Sequence, residues 1–469
     1  MTVDVCFDPE ELASWCNGTW IRIPRAPLSA VEHDSKKITP GSLFVAIRGA
    51  RFDGHDFVGQ AGKAGAGAAL VNRARAGELA EPGLPLLAVN DTALALRDLA
   101  SGYRRKLELT VVGVTGSVGK TTVKEMIACL LESSMTTART KGNWNNEIGL
   151  PLSILAIPPG TKVAVLELGI SHPGEMIPLC AIARPDWGVI TNVGPVHLEF
   201  FDSVSAIADE KGELLSCLPV GGTAVLSRDE PHFEHLSRVA PGRVRTVSLH
   251  PENQADYVLI REDRRSGECD VADRVDGGIH AFRLPAPGEH NRHNALLAIA
   301  VARGLGVSWE ALADAFTRYV APAMRWERKE AGGLTFINDA YNANPVSMAA
   351  ALKTFAELDV AGRKWLVLGD MLELGAGGVD AHRAIGRAVA GGLWAGLVTV
   401  GELGARISEG ALDAGMPASS VNVCDSVAQA VSVLKEKIVK GDALLIKASR
   451  GKRLETVISS MMDGMGKDC

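Results

Sequence analysis

Leu109-Thr110-Val111-Val112-Gly113-Val114-Thr115-Gly116-Ser117-Val118-Gly119-Lys120-Thr121-Thr122-Val123-Lys124-Glu125-Met126 is the stretch from which the rest of the chain can be read. The β-branched apolar run predicts a buried strand, Thr115 to Thr121 a Gly-rich turn closing on Gly-Lys-Thr, and Val123 to Leu131 an amphipathic helix. Strand, glycine turn and helix N-terminus in that order make a phosphate-binding loop, because backbone N–H groups and the positive end of the helix converge on one anion. Lys120 then reaches the β- and γ-phosphates of a nucleoside triphosphate, and the Thr121 hydroxyl can hold Mg2+. Gly116, Ser117, Gly119 and Thr122 complete the loop. The strict pattern has a glycine where this chain has Val114; the additional glycine is Gly116. That departure, and the lack of any Asn-Lys-x-Asp run, points away from common kinases and GTPases.

Working outward, 469 residues exceed what one hydrophobic core ordinarily holds, so several domains are expected. A net charge of −6 gives no reason to expect nucleic acid as a partner, so anionic ligands must be held by local sites. The eight cysteines, Cys6 to Cys469, are scattered with no Cys-x-x-Cys pair, as in a chain of reduced cytoplasmic thiols. Met1 to Glu11 carries acids with neither a basic n-region nor an apolar h-region, and no apolar run approaches about 20 residues. The reading is therefore cytoplasmic, with no membrane partner, and no stretch reads as an obligate dimer surface, so a monomer is expected.

The pattern is α/β throughout, in three domains. Residues 1–88 alternate short apolar runs with Gly- and Pro-rich turns, as a small α/β N-terminal domain does. Residues 89–322 hold the phosphate loop and strands expected at Val163 to Leu168, Trp187 to Asn192 and Thr223 to Ser227. They form a central P-loop ATPase-type domain with a mainly parallel sheet; Arg261 to Gly278 looks like an exposed hairpin or loop. After Ala321-Pro322 strand and helix alternate regularly from Leu334 to Ile446, which predicts that 323–469 is a Rossmann-like, doubly wound domain. Ligands of such sheets gather at the carboxyl ends of their strands.

Polar residues at those ends are the candidates for chemistry. Glu167 ends a run of four apolar residues beside the phosphate loop, where a carboxylate helps Thr121 hold magnesium. His197, in Gly194-Pro195-Val196-His197-Leu198-Glu199, follows the next strand. Lys211 reads from composition as a solvated helix lysine. Asn143 and Asn146 belong to an amide-rich turn suited to a polar ligand, though such turns also exist for backbone reasons. Asn291 and Asn294 sit at a helix N-terminus, where capping and nucleotide contact are both open. Arg325, Asp339, Asn342 and Asn344 follow the linker and first strand of the last domain, and Ser449 and Arg450 follow its last strand, offering donors for a carboxylate. In the first domain, which carries Asp34-Ser35-Lys36, Pro40-Gly41 and Asp53-Gly54 read as turns, with His55 a surface or loop histidine or a ligand.

Taken together, Thr-Gly-Ser-Val-Gly-Lys-Thr, Asn143-Trp144-Asn145-Asn146-Glu147-Ile148-Gly149, Leu166-Glu167-Leu168-Gly169, Gly194 to Glu199 with Lys211 beyond it, Glu289-His290-Asn291-Arg292-His293-Asn294 and Asn338-Asp339-Ala340-Tyr341-Asn342-Ala343-Asn344-Pro345 resemble the Mur ligase family of ATP-dependent amide-forming enzymes. Phe52-Asp53-Gly54-His55-Asp56-Phe57 and Leu368-Gly369-Asp370-Met371-Leu372-Glu373-Leu374-Gly375 look most like the branch that acts on D-alanyl-D-alanine. The Asp-Tyr-Ala-His-Thr-Pro and Asp-Asn-Pro-Arg strings of the preceding enzyme of the pathway are missing. The family's usual Asp-Ser-Arg is Asp34-Ser35-Lys36 here.

The resemblance implies that ATP phosphorylates the terminal carboxylate of UDP-N-acetylmuramoyl-tripeptide and that the amine of D-alanyl-D-alanine attacks the acyl phosphate. It implies that Lys120, His197, Lys211 and Arg325 are catalytic, and that Thr121 and Glu167 hold one Mg2+. His197 with Lys211, the latter as a carbamate, would hold a second. Arg325 and Asp339 would reach the nucleotide by domain closure, with Asn291 or Asn294 near the adenine. Asp34, Ser35, His55, Asn143, Asn146, Asn342, Asn344, Ser449 and Arg450 would face the two other substrates. A folylpolyglutamate synthase would share the phosphate loop but lack the Phe52 to Phe57 string, and a non-catalytic nucleotide-binding module should lack the His197 and Lys211 pair.

Overall fold

The computed structural model describes residues 5–79, 83–263, 266–284 and 286–465. Three β-sheets follow one another along the chain, each with helices packed on it, so the α/β expectation holds. Cys469, Arg264 and Arg265, and the first residues of the Met1 to Glu11 stretch, lie outside the described residues.

The first sheet has five strands in the order Thr19–Trp20, Leu86–Val89, Ala68–Asn72, Leu43–Val45 and Val31–Glu32, parallel except for the first. The three central strands are buried along their length apart from Asn72, as runs sandwiched between layers must be. Asp91 caps the helix Thr92–Lys106 by accepting from the N–H groups of Ala93 and Leu94, and Arg104, Arg105 and Lys106 lie in its last turn, where the helix dipole favours cations. This helix shares one apolar cluster with Leu12 and Leu87 on one side and with Leu150 and Leu179 on the other. It therefore ties the first sheet to the second.

Nine strands form the central sheet, with Thr110–Thr115 between Trp187–Ile190 and Val163–Glu167. It is parallel from Thr137–Arg139 as far as Tyr257–Glu262. Glu268–Asp273 and Ile279–Arg283 then add an antiparallel edge. The expected exposed hairpin is thus built into the sheet. Helices Lys120–Glu132 and Glu289–Gly304 cover the same face and share one core of Met126, Ile127, Leu130, Leu296, Ile299 and their neighbours.

The third sheet runs Glu327–Ala331, Leu334–Asn338, Ala443–Lys447, Lys364–Gly369, Gly396–Val400, Val421–Cys424. Five of its strands are parallel and the edge strand Glu327–Ala331 is antiparallel. Its last strand in sequence lies third in space, between Leu334–Asn338 and Lys364–Gly369, so the chain crosses the sheet in one direction and then returns to that point. Such a reversal opens a crevice at the carboxyl ends of the strands. This region is packed on the central one: Lys353 Nζ lies 2.5 Å from Glu289 Oε2, and Val346 is in van der Waals reach of a Cβ built on Gly194, at 3.4 Å.

Candidate active site

The loops of three adjacent central strands open on one rim. Gly116 leaves its strand with φ of +149°, and a Cβ there would sit 1.9 Å from Thr191 Oγ1, so only glycine fits. That close approach explains the displaced glycine, since Val114 is still inside the strand and fully buried. Gly119, with φ of +86°, turns the chain into the helix Lys120–Glu132, and a Cβ there would meet Asn294 Oδ1 at 2.7 Å. Asn294 therefore lies against the phosphate loop itself. Ser117 Oγ donates to the Gly194 carbonyl at 3.1 Å and accepts from the Gly194 N–H at 2.9 Å. The Val118 N–H donates to Asn192 Oδ1 at 2.9 Å, which ties the loop to the neighbouring turn. Lys120 Nζ donates to the Gly116 carbonyl at 2.8 Å, and Thr122 lines the same cleft. Burial lowers the Lys120 pKa, Glu167 opposes the shift and Arg325 adds to it, so all three charges stand close together.

Behind the loop, Thr121 Oγ1 donates to Glu167 Oε2 at 2.8 Å, while Glu167 Oε1 accepts from Asn145 Nδ2 at 2.8 Å. A hydroxyl and a buried carboxylate side by side, next to a phosphate cradle, are a donor set that fits a magnesium ion. Two residues outside the expected set hold it in place. Asn145 orients the carboxylate, and Lys124, fully buried, lies 3.8 Å from Glu167 Oε2 and 3.0 Å from Glu125 Oε1. Its ammonium also donates to the carbonyls of Thr140, at 2.7 Å, and Gly142, at 3.0 Å. A sequence signal for Lys124 existed: a second lysine one turn after Lys120 sits in the part of a helix that the dipole makes unfavourable for cations.

Lys211, on the helix Val204–Ser216, is not the solvated lysine that composition suggests; it is 1 % exposed. Burial and the nearby Lys120 put its pKa well below the usual lysine value, against the pull of Glu210. Among the described residues its ammonium makes no hydrogen bond or ion pair. His197, with φ of +53°, lies close enough to feel both Lys120 and Lys211, and burial lowers its pKa despite Glu373 Oε2 at 3.0 Å from Nδ1. Two nitrogens suit magnesium poorly, and no group of three or more His, Cys, Asp or Glu side chains gathers into a metal site among the described residues. The pair as encoded does not fit a second metal; an oxygen carried on Lys211 would.

The third sheet supplies the opposite wall. Arg325 lies 4.0 Å above the Tyr341 ring and faces Lys120, Asn342 and Asn344 across a cleft of about 1020 Å3. Asn344 also caps the helix Pro345–Glu357 through a reciprocal box with Ser347, and Asn342 Oδ1 accepts from the Ala343 N–H. Asp339 borders the cleft, but its carboxylate is engaged by Lys447 Nζ at 2.6 Å and the Trp326 N–H at 3.1 Å. It holds the buried Lys447 in place. Asn143 and Asn146 line the cleft, the latter using Oδ1 to accept the Gly149 N–H at 2.9 Å. Asn291 Nδ2 donates to the Pro287 carbonyl at 2.7 Å, and burial takes His290 and His293 beside it down to about 4, so both rings are neutral.

Three expected substrate contacts have partners within the protein itself. His55 is buried, with Nδ1 against Asp53 Oδ1 at 2.6 Å and Nε2 accepting the Asn72 N–H at 2.9 Å, so both ring nitrogens serve the fold of the first region. Ser449 is buried as well, donating to the Ala343 carbonyl at 3.2 Å and accepting the Leu372 N–H at 2.9 Å. Arg450 pairs with Glu455 and is not among the residues that line the cleft. Asp34 and Ser35 lie in the first region, outside the cleft. Asp34 accepts the Lys36 N–H at 3.0 Å, and Ser35 Oγ donates to Gln60 Oε1 at 3.2 Å.

The chain matches three family models: the Mur ligase family, catalytic domain over residues 27–104, the Mur ligase middle domain over 114–302, and the Mur ligase, glutamate ligase domain over 324–450. It is 37% identical over 441 residues to the UDP-N-acetylmuramoyl-tripeptide--D-alanyl-D-alanine ligase of Bacillus subtilis (strain 168), covering 93% of each chain. A crystal structure of MurF from Acinetobacter baumannii superposes with a TM-score of 0.86 at 28% identity, over 98% of this chain and 99% of that one. MurF ligase from Thermotoga maritima in complex with ADP gives a TM-score of 0.79 at 28% identity, over 94% and 98%.

Proposed function

The chain belongs to the Mur ligase family, and from that premise we propose that it joins D-alanyl-D-alanine to UDP-N-acetylmuramoyl-tripeptide, forming the UDP-muramoyl-pentapeptide of peptidoglycan precursor synthesis. The observation that carries the reading is the cleft itself, in which Lys120 and Thr121 of the phosphate loop face Arg325 of the third sheet. An amide cannot form from a free carboxylate, which is a poor electrophile, so the carboxylate first takes the γ-phosphoryl group of ATP. The amine then attacks the acyl carbon and phosphate leaves. Catalysis of this kind is positioning plus neutralisation of spreading negative charge.

Each residue has a role in that scheme. Lys120 binds the β- and γ-phosphates with the N–H groups from Gly119 to Thr122, and Arg325 meets the triphosphate from the opposite wall. Thr121 and Glu167 hold Mg2+, which when bound supplies positive charge to the phosphoryl oxygens. Asn145 and Lys124 keep Glu167 aimed. Lys211 as a carbamate, with His197, provides the second oxygen-bearing site. Asn294 braces the loop, and Asn291 lies beyond it toward the base. Asp339 works through Lys447. Asn143, Asn146, Asn342 and Asn344 offer amide donors to the peptide, and Asp34 and Ser35 are left for the uridine nucleotide.

A reaction consuming UDP-activated precursors belongs to the cytoplasm and serves cell wall growth, shape and division. No helix among the described residues is long and apolar enough to cross a membrane. The working unit in this reading is a monomer. We take 1–88, 89–322 and 323–469 as its uridine-nucleotide, ATP and D-alanyl-D-alanine domains. ADP release tests the reading: it is expected only when ATP, UDP-N-acetylmuramoyl-tripeptide and D-alanyl-D-alanine are all present. Equal release with a folate substrate, or without the nucleotide peptide, would overturn it.

A further inference from the structure

Two residues face each other across the cleft in a backbone conformation that side chains disfavour. His197 has φ of +53° and Glu373 φ of +62°, and they come from loops of different sheets. Non-glycine residues held there gather at functional sites, where the surroundings over-determine them. The second loop follows the strand Lys364–Gly369, and its Gly375, at φ of +58°, is seated on the first: a Cβ there would lie 3.6 Å from Glu199 Cα. The strained turn therefore does one visible thing, which is to carry the Glu373 carboxylate to within 3.0 Å of His197 Nδ1.

That contact is the carboxylate's one ion pair among the described residues. The imidazole meets it with a single nitrogen, Nδ1, which is buried. No lysine or arginine among the described residues pairs with Glu373, although Lys120 and Arg325 stand close to each other in the same cleft. Its side chain is 59 % exposed, at the rim of the cleft that His197 lines. A carboxylate presented on a strained turn, with no lysine or arginine of the described residues against it, is a counter-charge for a cation that arrives with substrate.

Resting on the ligase reading above, we infer that Glu373 binds the ammonium group of the incoming D-alanyl-D-alanine and so places its nitrogen beside the activated carboxyl carbon, where it gives up one proton to solvent before the free amine attacks. The triphosphate and the carboxylate to be activated are anions, so neither is held by a carboxylate. The amine acceptor is the substrate that must bring a cationic nitrogen to the side of the cleft where His197 and Lys211 stand. A residue of the third sheet delivers the charge, which makes the acceptor's affinity depend on that sheet being packed on the central one.

The test compares wild type with Glu373→Gln and Glu373→Asp in steady-state assays, alongside propionyl-D-alanine, which is the dipeptide without its amino group, as an inhibitor. Wild-type ligation in the same assay checks the parent reading separately. Loss of a charge-assisted hydrogen bond is expected to raise the KM for D-alanyl-D-alanine about tenfold or more in Glu373→Gln and less in Glu373→Asp. The KM values for ATP and the nucleotide peptide, and the inhibition constant of propionyl-D-alanine, should stay within about twofold, since none of these meets the ammonium subsite. An unchanged dipeptide KM would overturn the assignment. So would an equal weakening of propionyl-D-alanine, which would mean that Glu373 only holds the two regions together, or a rise confined to the nucleotide peptide, which carries other amino groups.

Discussion

Lys120→Ala is expected to lose ligation by roughly 10^3-fold while keeping its fold, the scale at which a single preorganised donor to developing charge matters. Lys120 is half-buried at the loop, its side chain hydrogen-bonds among the described residues to the Gly116 carbonyl at 2.8 Å, and it contributes nothing to the apolar cores. The sign of its pKa shift supports an intact fold. Burial lowers the folded-state pKa, so below the unfolded value the unfolded chain binds the proton more tightly, and the charged side chain detracts from stability. Removing it relieves that penalty. A thermal melt unchanged or shifted slightly upward, together with absent ADP release, is the expected pair of results. Retained turnover in the folded variant would show that the triphosphate is bound elsewhere.

Lys211→Ala should lose most activity too, but by a different route and with a different remedy. A bare ammonium here would put like charge beside Lys120 and beside any metal on the loop, which makes it a poor partner for either. The neutral amine favoured by burial can instead take up carbon dioxide: nitrogen forms a bond to carbon, one proton leaves to solvent, and an N-carboxylate remains. The group then carries negative charge and two oxygen donors at the point where the encoded residue carried a cation. In Lys211→Ala the space is left open, so added formate or acetate is expected to restore part of the activity. Neither should help Lys120→Ala, whose missing charge is positive. Full activity of Lys211→Ala, or no rescue at any carboxylate concentration, would exclude the modified lysine.

The parts of the site that were legible in sequence are those whose chemistry is local. Gly-Lys-Thr after a buried strand fixes Lys120 and Thr121 by their own spacing, and Glu167 follows because it ends the adjacent apolar run. The parallel sheets were legible for the same reason, each buried strand being a short apolar run between helical patterns. The strand Glu327–Ala331 was not, since an edge strand of alternating charges looks like a solvated loop until its partner Leu334–Asn338 is known. His55, Ser449 and Arg450 were ambiguous in sequence because polar side chains on turns serve a ligand or the backbone, and distant partners are not visible there. For His55 the decision lies with the Asn72 N–H, and for Ser449 with Ala343 and Leu372. Lys211 is the reverse case, a lysine on a helix with an ordinary pattern that tertiary packing buries completely.

The central claim is that this cleft activates a carboxylate by phosphorylation before the amine attacks. It is tested most directly with UDP-N-acetylmuramoyl-tripeptide whose terminal carboxylate carries 18O on both oxygens. Attack of that carboxylate on the γ-phosphorus moves one labelled oxygen into the bridging position, and it leaves with the phosphate when the amide forms. Mass spectrometry should find one 18O in each released phosphate and one in the new amide carbonyl. Unlabelled phosphate, with both labels retained in the peptide or lost to water, would contradict the account.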